Sequence, residues 1–282
     1  MILPYLLILP VLGPILVFMS LVIGMAVSQS FGLYNFAGKD HLSLAYWQEL
    51  SVNPQFWRAL AYSARIATIS ALLAVTLAYP LALWLRKPFP GSALISGLLK
   101  APLMIHGLVA ALLFINIISW QGLLNLTLLK LGLIDHPLRM QNDSMGIGVV
   151  FLQVWKQMPF ALLILSGAVR GISEDLLYAA RDLGASWFAR FHQILLPLTL
   201  RAVQVSLILI FIGAAGDFAF QVVAGPTSVN SLAQLMVRMQ DSGDSGWNLA
   251  AVVAVVLMLL SLVGSLLMAT LIQVIVNIGR SA

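Results

Sequence analysis

The sequence contains no cysteine, which excludes disulfide bonds and thiolate metal sites. Charge is also scarce, because only 9% of the 282 residues are Asp, Glu, Lys or Arg, whereas 61% are hydrophobic. With a mean hydropathy of +0.99, such a chain cannot cover a soluble core with a water-facing surface. The composition therefore predicts an integral membrane protein that is surrounded by a lipid bilayer.

Several functional motifs are missing as well. The sequence has no Gly-x-x-x-x-Gly-Lys-Ser/Thr loop, so it cannot bind ATP in the P-loop manner, and it has no Gly-x-Ser-x-Gly or His-Glu-x-x-His pattern. Its four histidines are scattered without metal-ligand spacing. The 15 Lys and Arg residues never form a run, which argues against a nucleic-acid partner. We expect a non-catalytic protein with no metal site and no cofactor of its own.

Long apolar stretches account for most of the chain. Each is long enough to cross a hydrocarbon core, which takes about 20 helical residues, and too long for a barrel strand of about ten. Helices are expected because backbone groups find no water partner in lipid. The first stretch lacks a basic segment before it, so we expect a retained helix rather than a cleaved signal peptide. The six stretches cover approximately residues 4–28, 59–85, 93–119, 144–169, 199–223 and 248–277.

The predicted fold is therefore all-α, with six transmembrane helices in one membrane domain over residues 1–282. An even number of spans places both termini on the same side. Arg86 and Lys87 lie in a short turn between the second and third stretches, and positive charges favour the cytoplasmic side. We expect this turn, the segment 170–198 and both termini in the cytoplasm, with residues 224–247 outside.

A charged segment of about residues 171–198 separates the fourth and fifth stretches. Ser173 followed by Glu174 and Asp175 predicts the start of a short helix, with acidic residues favourably placed in its first turn. Gly184 is expected to turn the chain, because glycine tolerates positive φ. A second amphipathic helix is predicted over residues 187–196, before Pro197 opens the fifth membrane helix. An isolated element of this kind could also be an amphipathic helix in the headgroup layer.

The same segment resembles the EAA loop of permease subunits of bacterial ATP-binding-cassette importers. Ala179, Ala180, Gly184 and the closing residues 194–197 have the spacing of that family. Residues 154–160, 213–221 and 247–251 also look like this family. The spermidine and putrescine permease branch is the most similar, with ferric iron, thiamine, sulfate and phosphonate importers as relatives. One residue departs from the motif, because Tyr178 replaces the glutamate that gives the loop its name.

The resemblance implies a type I importer fold in the bacterial cytoplasmic (inner) membrane, with the loop docked on an ATPase. It further implies two ATPase subunits that bind ATP and Mg, a second permease subunit in a heterodimer, and an external solute-binding protein. The residues that it assigns to the coupling loop are Glu174, Ala179, Ala180, Asp182, Gly184, Ala185 and Pro197.

Four polar residues and one phenylalanine within the predicted helices are candidates for the solute pathway: Gln153, Lys156, Asp217, Phe218 and Gln221. Asp217 is the only acidic residue within a predicted helix, and an intramembrane charge must find a partner. It could pair with Lys156, cap a polar cluster with Gln221, or bind a cationic solute such as a polyamine. A self-contained secondary carrier could use Lys156 and Asp217 as coupling residues, but it would leave the segment 174–197 unexplained.

Overall fold

The computed structural model describes residues 3–35, 40–243 and 245–281, and within these ranges all regular structure is helical. Six helical stretches are long and apolar enough to cross a membrane, and the third is interrupted at residues 119–122: Pro10–Ser30, Pro54–Trp84, Gly107–Lys130, Ile147–Arg170, Trp187–Ala215 and Gly246–Val274. The predicted all-α fold with six spans is therefore confirmed. The helices, in chain order, are α1 (Leu3–Ser30), α2 (Ala45–Val52), α3 (Pro54–Trp84), α4 (Ser92–Lys100), α5 (Gly107–Ile118), α6 (Leu123–Lys130), α7 (Ile147–Arg170), α8 (Glu174–Asp182), α9 (Trp187–Arg190), α10 (Leu196–Ala215), α11 (Ala219–Ala224), α12 (Leu232–Gln240) and α13 (Gly246–Ser281).

The centre of the bundle is formed by α3, which packs on α7 and α10, while α10 also packs on α13. A stripe of small residues lies on one face of α3 at helical spacing, and small side chains let helix backbones approach closely in a membrane. All members of the stripe are fully buried: Ala67, Ala71, Ala74, Ala78 and Ala82. By contrast, α1 packs mainly on α13 and leaves most of its described side chains exposed at the edge of the bundle.

The third span differs from the prediction of one helix over residues 93–119. The chain leaves α4 through a 3₁₀ turn at Ala101–Met104 and begins the spanning helix only at Gly107. Pro102 lacks an N–H group, and the chain is extended at Ile105 and His106. The ammonium group of Lys156 donates hydrogen bonds to the carbonyl oxygens of Pro102 and Ile105 at this interruption. This lysine on α7 therefore stabilises the break between α4 and α5.

The fifth span differs at both ends from the predicted range of 199–223. It begins at Trp187, because a π-helical turn at Phe191–Leu195 joins α9 to α10 without interruption. A wider turn immediately before Pro197 accommodates the missing N–H and the bulk of its ring. The predicted separate helix over 187–196 is thus the first part of the span. At the other end, α10 stops at Ala215, and the short α11 follows after Gly216.

Two hydrogen bonds between distant parts of the chain fix the direction of the outer helices. Asn248, at the start of α13, donates to the carbonyl of Gln29, at the end of α1. Gln204, near the middle of α10, donates to the carbonyl of Ala269 on the far part of α13, and α13 also contacts the π-helical turn at Phe191–Leu195. The start of α1 and the end of α13 therefore lie at the same end of the bundle as the segment 171–198. Met1, Ile2 and Ala282 lie outside the described residues.

Candidate functional site

The segment 171–198 contains the predicted short helix, which is α8 (Glu174–Asp182). The helix begins directly after Ser173, although the hydroxyl of Ser173 forms no capping hydrogen bond. Glu174 and Asp175 lie in the first turn, where a negative charge interacts favourably with the helix dipole. Acidic residues rather than a side-chain cap therefore mark this helix start.

Gly184 has a φ of 83° and reverses the chain after α8. The N–H of Ala185 donates to the carbonyl of Ala180 and the N–H of Gly184 to that of Arg181, both at 2.9 Å. These two bonds are the pair that defines a Schellman motif. No heavy atom lies within 4 Å of a Cβ built on Gly184. The turn therefore requires glycine for its backbone conformation and not for space. The hydroxyl of Ser186 then accepts from the N–H of Ala189 and caps α9.

The other residues that the resemblance assigned to this segment differ in exposure. Ala179 and Asp182 are exposed, whereas Ala180, Ala185 and Pro197 are half-buried. The turn at Gly184 thus lies between an exposed Asp182 and a half-buried Ala185.

Large apolar side chains at the tip were missed by sequence reasoning. Leu183 is 89% exposed, and Trp187 and Phe188, on the other side of the turn, are more than 60% exposed. Leu176 and Tyr178 on α8 are also exposed. Apolar residues grouped on a charged, protruding segment are typical of a docking surface. The signal in the sequence was the group of apolar residues between Arg181 and Arg190.

The base of α8 is held to the turn after α3 by an ionic cluster. The carboxylate of Glu174 lies 3.0 Å from the ammonium of Lys87 and 3.4 Å from the guanidinium of Arg86. Lys87 also donates to the hydroxyl of Tyr178 at 3.2 Å and lies over its ring. Arg86 donates in addition to the carbonyl of Ile172. We call the contacts among Arg86, Lys87, Glu174 and Tyr178 the clasp. The residue that departs from the family motif, Tyr178, is part of it.

The contacts of the clasp shift the pKa values of Glu174 and Lys87. The hydrogen bond from Lys87 lowers the pKa of Glu174 below its ordinary value, and Arg86 adds to this. The hydrogen bonds to Glu174 and Tyr178 raise the pKa of Lys87. Both residues therefore stay charged around neutral pH.

The candidate pathway residues fall at a second site, where α7 meets the chain between α10 and α11. The carboxylate of Asp217 accepts from the backbone N–H of Phe220 and so caps α11. The side chain of Gln153 lies beside it. The side-chain oxygen of Gln221 accepts from the hydroxyl of Tyr62 at 2.9 Å. Three of the predicted residues are thus brought together in one polar cluster, formed by Gln153, Asp217 and Gln221.

Some polar capacity of this cluster is unused. Gln153 is 1% exposed, and its amide nitrogen has no hydrogen-bond acceptor among the described residues. Asp217 is half-buried, and Phe218 is exposed next to it. The site therefore offers an unpaired donor, a carboxylate and an aromatic face.

Lys156 is not part of this cluster. It binds the carbonyls at the α4–α5 break, and within the described ranges no ion pair joins it to Asp217. Of the roles considered for Asp217, pairing with Lys156 is wrong, whereas capping of a polar region that includes Gln221 agrees with the structure. Among the described residues, no group of three or more His, Asp or Glu is placed to hold a metal ion.

Comparison with known proteins shows the family. The chain matches the binding-protein-dependent transport system inner membrane component over residues 1–276. It is 30% identical to the spermidine/putrescine transport system permease protein PotB of Escherichia coli over 209 residues, which cover 73% of this chain and 74% of that protein. It is 29% identical to the trehalose transport system permease protein SugA of Mycobacterium tuberculosis over 167 residues, which cover 59% of this chain and 53% of that protein.

A solved structure shows the same fold. A chain of a bacterial ABC transporter that imports the acidic polysaccharide alginate superposes with a TM-score of 0.77, at 17% identity and with 96% of both chains covered. The family excludes the self-contained carrier, because its members are subunits of ABC importers. This chain belongs to the binding-protein-dependent transport system inner membrane components and is a non-catalytic permease subunit of an ABC importer with the type I fold.

Proposed function

We propose that the segment 171–198 is the coupling loop, which transmits the motion of a cytoplasmic ATPase to the membrane helices. The main observation is the combination of an exposed apolar tip with a base that is clasped to α3. A short helix that is fixed by a Schellman turn can move as a rigid body in a groove of a partner. The turn at Gly184 and the direct continuation of α9 into the fifth span would carry such a motion into the bundle.

The subunit would act in an assembly with two ATPases that bind ATP and Mg, a second permease subunit and an external solute-binding protein. The absence of a P-loop requires a separate motor. We favour a heterodimeric permease core within a single membrane domain per chain. ATP-driven closure of the ATPases would shift the bundle between inward-open and outward-open states. This arrangement places the coupling loop and both termini in the cytoplasm.

Cross-linking tests the coupling function directly. A photo-reactive amino acid in place of Leu183 is expected to capture the ATPase subunit in the assembled importer, because this side chain is the most exposed one at the tip. The same probe at Ser242, in an exposed turn between α12 and α13, is the matched control and is expected to leave the ATPase unlinked. Capture from Ser242, or none from Leu183, would refute the assignment.

For the substrate we propose a small cation such as a polyamine, bound near Asp217. The half-buried carboxylate and the exposed ring of Phe218 suit an amine with an alkyl chain. The similarity to PotB supports this choice. Asp217 would repel an anion such as sulfate or phosphonate. Ferric iron and thiamine remain alternative cations, and the similarity to SugA makes a sugar the neutral alternative.

Asp217→Asn separates the binding role from the structural one. Asparagine keeps an oxygen that can accept from the N–H of Phe220, so α11 stays capped while the charge is removed. Uptake of spermidine by the reconstituted importer is expected to fall at least about tenfold, since a charged hydrogen bond contributes roughly 1.5–3 kcal/mol. Asp135→Asn, at an exposed acid, is the control. Unchanged uptake with intact assembly would exclude the polyamine.

A further inference from the structure

Two cavities adjoin at the end of the bundle where the clasp lies. The first has a volume of about 340 Å³ and contains the side chains of Arg86, Lys87 and Arg190. The second has a volume of about 580 Å³ and extends between α3, α10 and α13. Leu83, Trp84 and Trp187 line both, so the two cavities adjoin at these side chains. Each is large enough for a small-molecule ligand, whose sites occupy about 300–1,000 Å³.

The first cavity is positively charged. Three cationic side chains line it and no acidic one does, although Glu174 pairs with Arg86 and Lys87 from outside it. One carboxylate against three cations leaves a net positive charge. The Nε–H of Arg190 is buried and has no acceptor among the described residues. A buried donor without a partner is unfavourable, and the positive charge of the cavity favours an anion beside Arg190.

The second cavity is apolar. Its walls include Val75, Phe191, Val203 and Ile272. The polar atom of Tyr79 points elsewhere, because its hydroxyl forms a 2.6 Å hydrogen bond with Thr199. The groove is therefore suited to hydrocarbon and offers little to a hydrated ion.

Two tryptophans mark the boundary between the charged and the apolar parts. Trp84 and Trp187 are both more than half exposed, and each packs on a phenylalanine, Phe89 and Phe191 respectively. Tryptophan is enriched at the level of the lipid headgroups because one side of its ring system is apolar and the other carries an N–H. The junction of the cavities therefore lies at the level where headgroup and acyl chain of a lipid meet.

We propose that the joined cavities are a binding site for an anionic phospholipid. Its phosphate lies against Arg86, Lys87 and Arg190, and one acyl chain lies in the groove between α3 and α10. A basic pocket beside an apolar groove between membrane helices fits a lipid better than free phosphate, which would leave the groove empty. Because Leu177 of α8 also lines the first cavity, the bound headgroup touches both the proposed coupling loop and α3. The lipid therefore lies where α8 contacts the turn after α3, next to the clasp.

Native mass spectrometry of the purified complete importer tests this site. The sample is equilibrated with equal amounts of phosphatidylglycerol and phosphatidylcholine. Preferential retention of phosphatidylglycerol is expected, with about a fivefold loss in Arg190→Gln, since one basic residue near a headgroup contributes about that factor. Arg139→Gln, at an exposed arginine outside the cavities, is the matched control and should retain the lipid. Equal retention of both lipids by the parent protein would overturn the proposal.

A second variant distinguishes a lipid from a free anion. Thr76 lines the groove and is exposed, so Thr76→Trp fills the groove without touching the basic cavity. Retention of phosphatidylglycerol is expected to fall in this variant as well. If retention survives Thr76→Trp, or if inorganic phosphate displaces the lipid fully, the site binds only an anion and the phospholipid assignment is wrong. Should Arg190→Gln fail to assemble, Lys87→Gln provides the same test of charge.

Discussion

Glu174 and Lys87 form an ion pair of 3.0 Å that joins the start of α8 to the turn after α3. The pKa of Glu174 is lowered, so this contact is present above the ordinary pKa of glutamate and is lost as pH falls through the lowered value. The pKa of Lys87 is raised, so the contact is lost only as pH rises through that raised value. The clasp is therefore complete at neutral pH. Exposed ion pairs are weak, which is compatible with the proposed movement of the coupling loop.

Lys87→Met is expected to loosen the base of the coupling loop. Hydrogen exchange of the backbone amides of α8 should become several-fold faster, because the variant removes both the ion pair with Glu174 and the hydrogen bond to Tyr178. High salt should reduce the difference between parent and variant, since exposed charges are screened. Lys130→Met, at an exposed lysine at the end of α6, should leave exchange in α8 unchanged. Equal exchange in Lys87→Met and the parent would show that the clasp does not hold α8.

Lys156→Met should destabilise the protein without changing its choice of solute. The variant removes the donor that Lys156 provides to the carbonyls of Pro102 and Ile105, and an unsatisfied buried acceptor costs about 1–3 kcal/mol. The free energy of unfolding in mixed detergent measures the loss, and competition between solutes for uptake measures the selectivity. A stable variant with altered selectivity would show instead that Lys156 takes part in the solute pathway.

Gly264→Ala is expected to disturb the packing of α10 on α13. A Cβ at this position would overlap the ring of Phe211, which is buried, and overpacking costs about 1–3 kcal/mol. The double variant with Phe211→Leu should recover part of the lost stability. Gly167→Ala is the control, because nothing lies within 4 Å of a Cβ there and alanine favours a helix. Equal stability of both single variants would contradict the close packing at Gly264.

Thiol labelling tests the orientation of the chain. Since the sequence has no cysteine, Leu183→Cys and Ser242→Cys each introduce a single reactive group at an exposed position. An impermeant reagent added to intact spheroplasts should label the cysteine at position 242, and the one at position 183 only after permeabilisation. The opposite pattern would invert the proposed topology.

The sequence was most informative where the physical cause is local. Apolar length predicted the six spans, and the turn after α8 followed from Gly184 alone, because a Schellman motif depends on one residue at positive φ. The third span was misjudged because the break at Pro102 depends on Lys156 from another helix. Pro197 suggested a helix start, whereas the π turn before it lets the helix continue from Trp187.

Contacts between distant segments could not be predicted from the sequence. The clasp joins Arg86 and Lys87 to Glu174, and nothing in the local pattern of either segment indicates the other. Asp217 lay in a predicted helix, but the helix ends before it, so its carboxylate accepts from the backbone N–H of Phe220 and is not paired with Lys156. The proximity of Gln153 to Asp217 likewise follows only from the packing of α7 on the chain after α10.

The most direct test of the coupling function compares uptake with ATP hydrolysis in the reconstituted importer carrying Gly184→Val. Valine at positive φ is strained by about 1–3 kcal/mol, so the turn between α8 and α9 should be lost. Gly243→Val is the matched control, with a φ of 88° and equally open surroundings, but outside the loop. We expect uptake of the solute to fall at least about tenfold in Gly184→Val, while insertion into the membrane stays intact. Uptake by Gly243→Val should stay near the parent level. Uptake by Gly184→Val at the parent rate would contradict the assignment of residues 171–198 as the coupling loop.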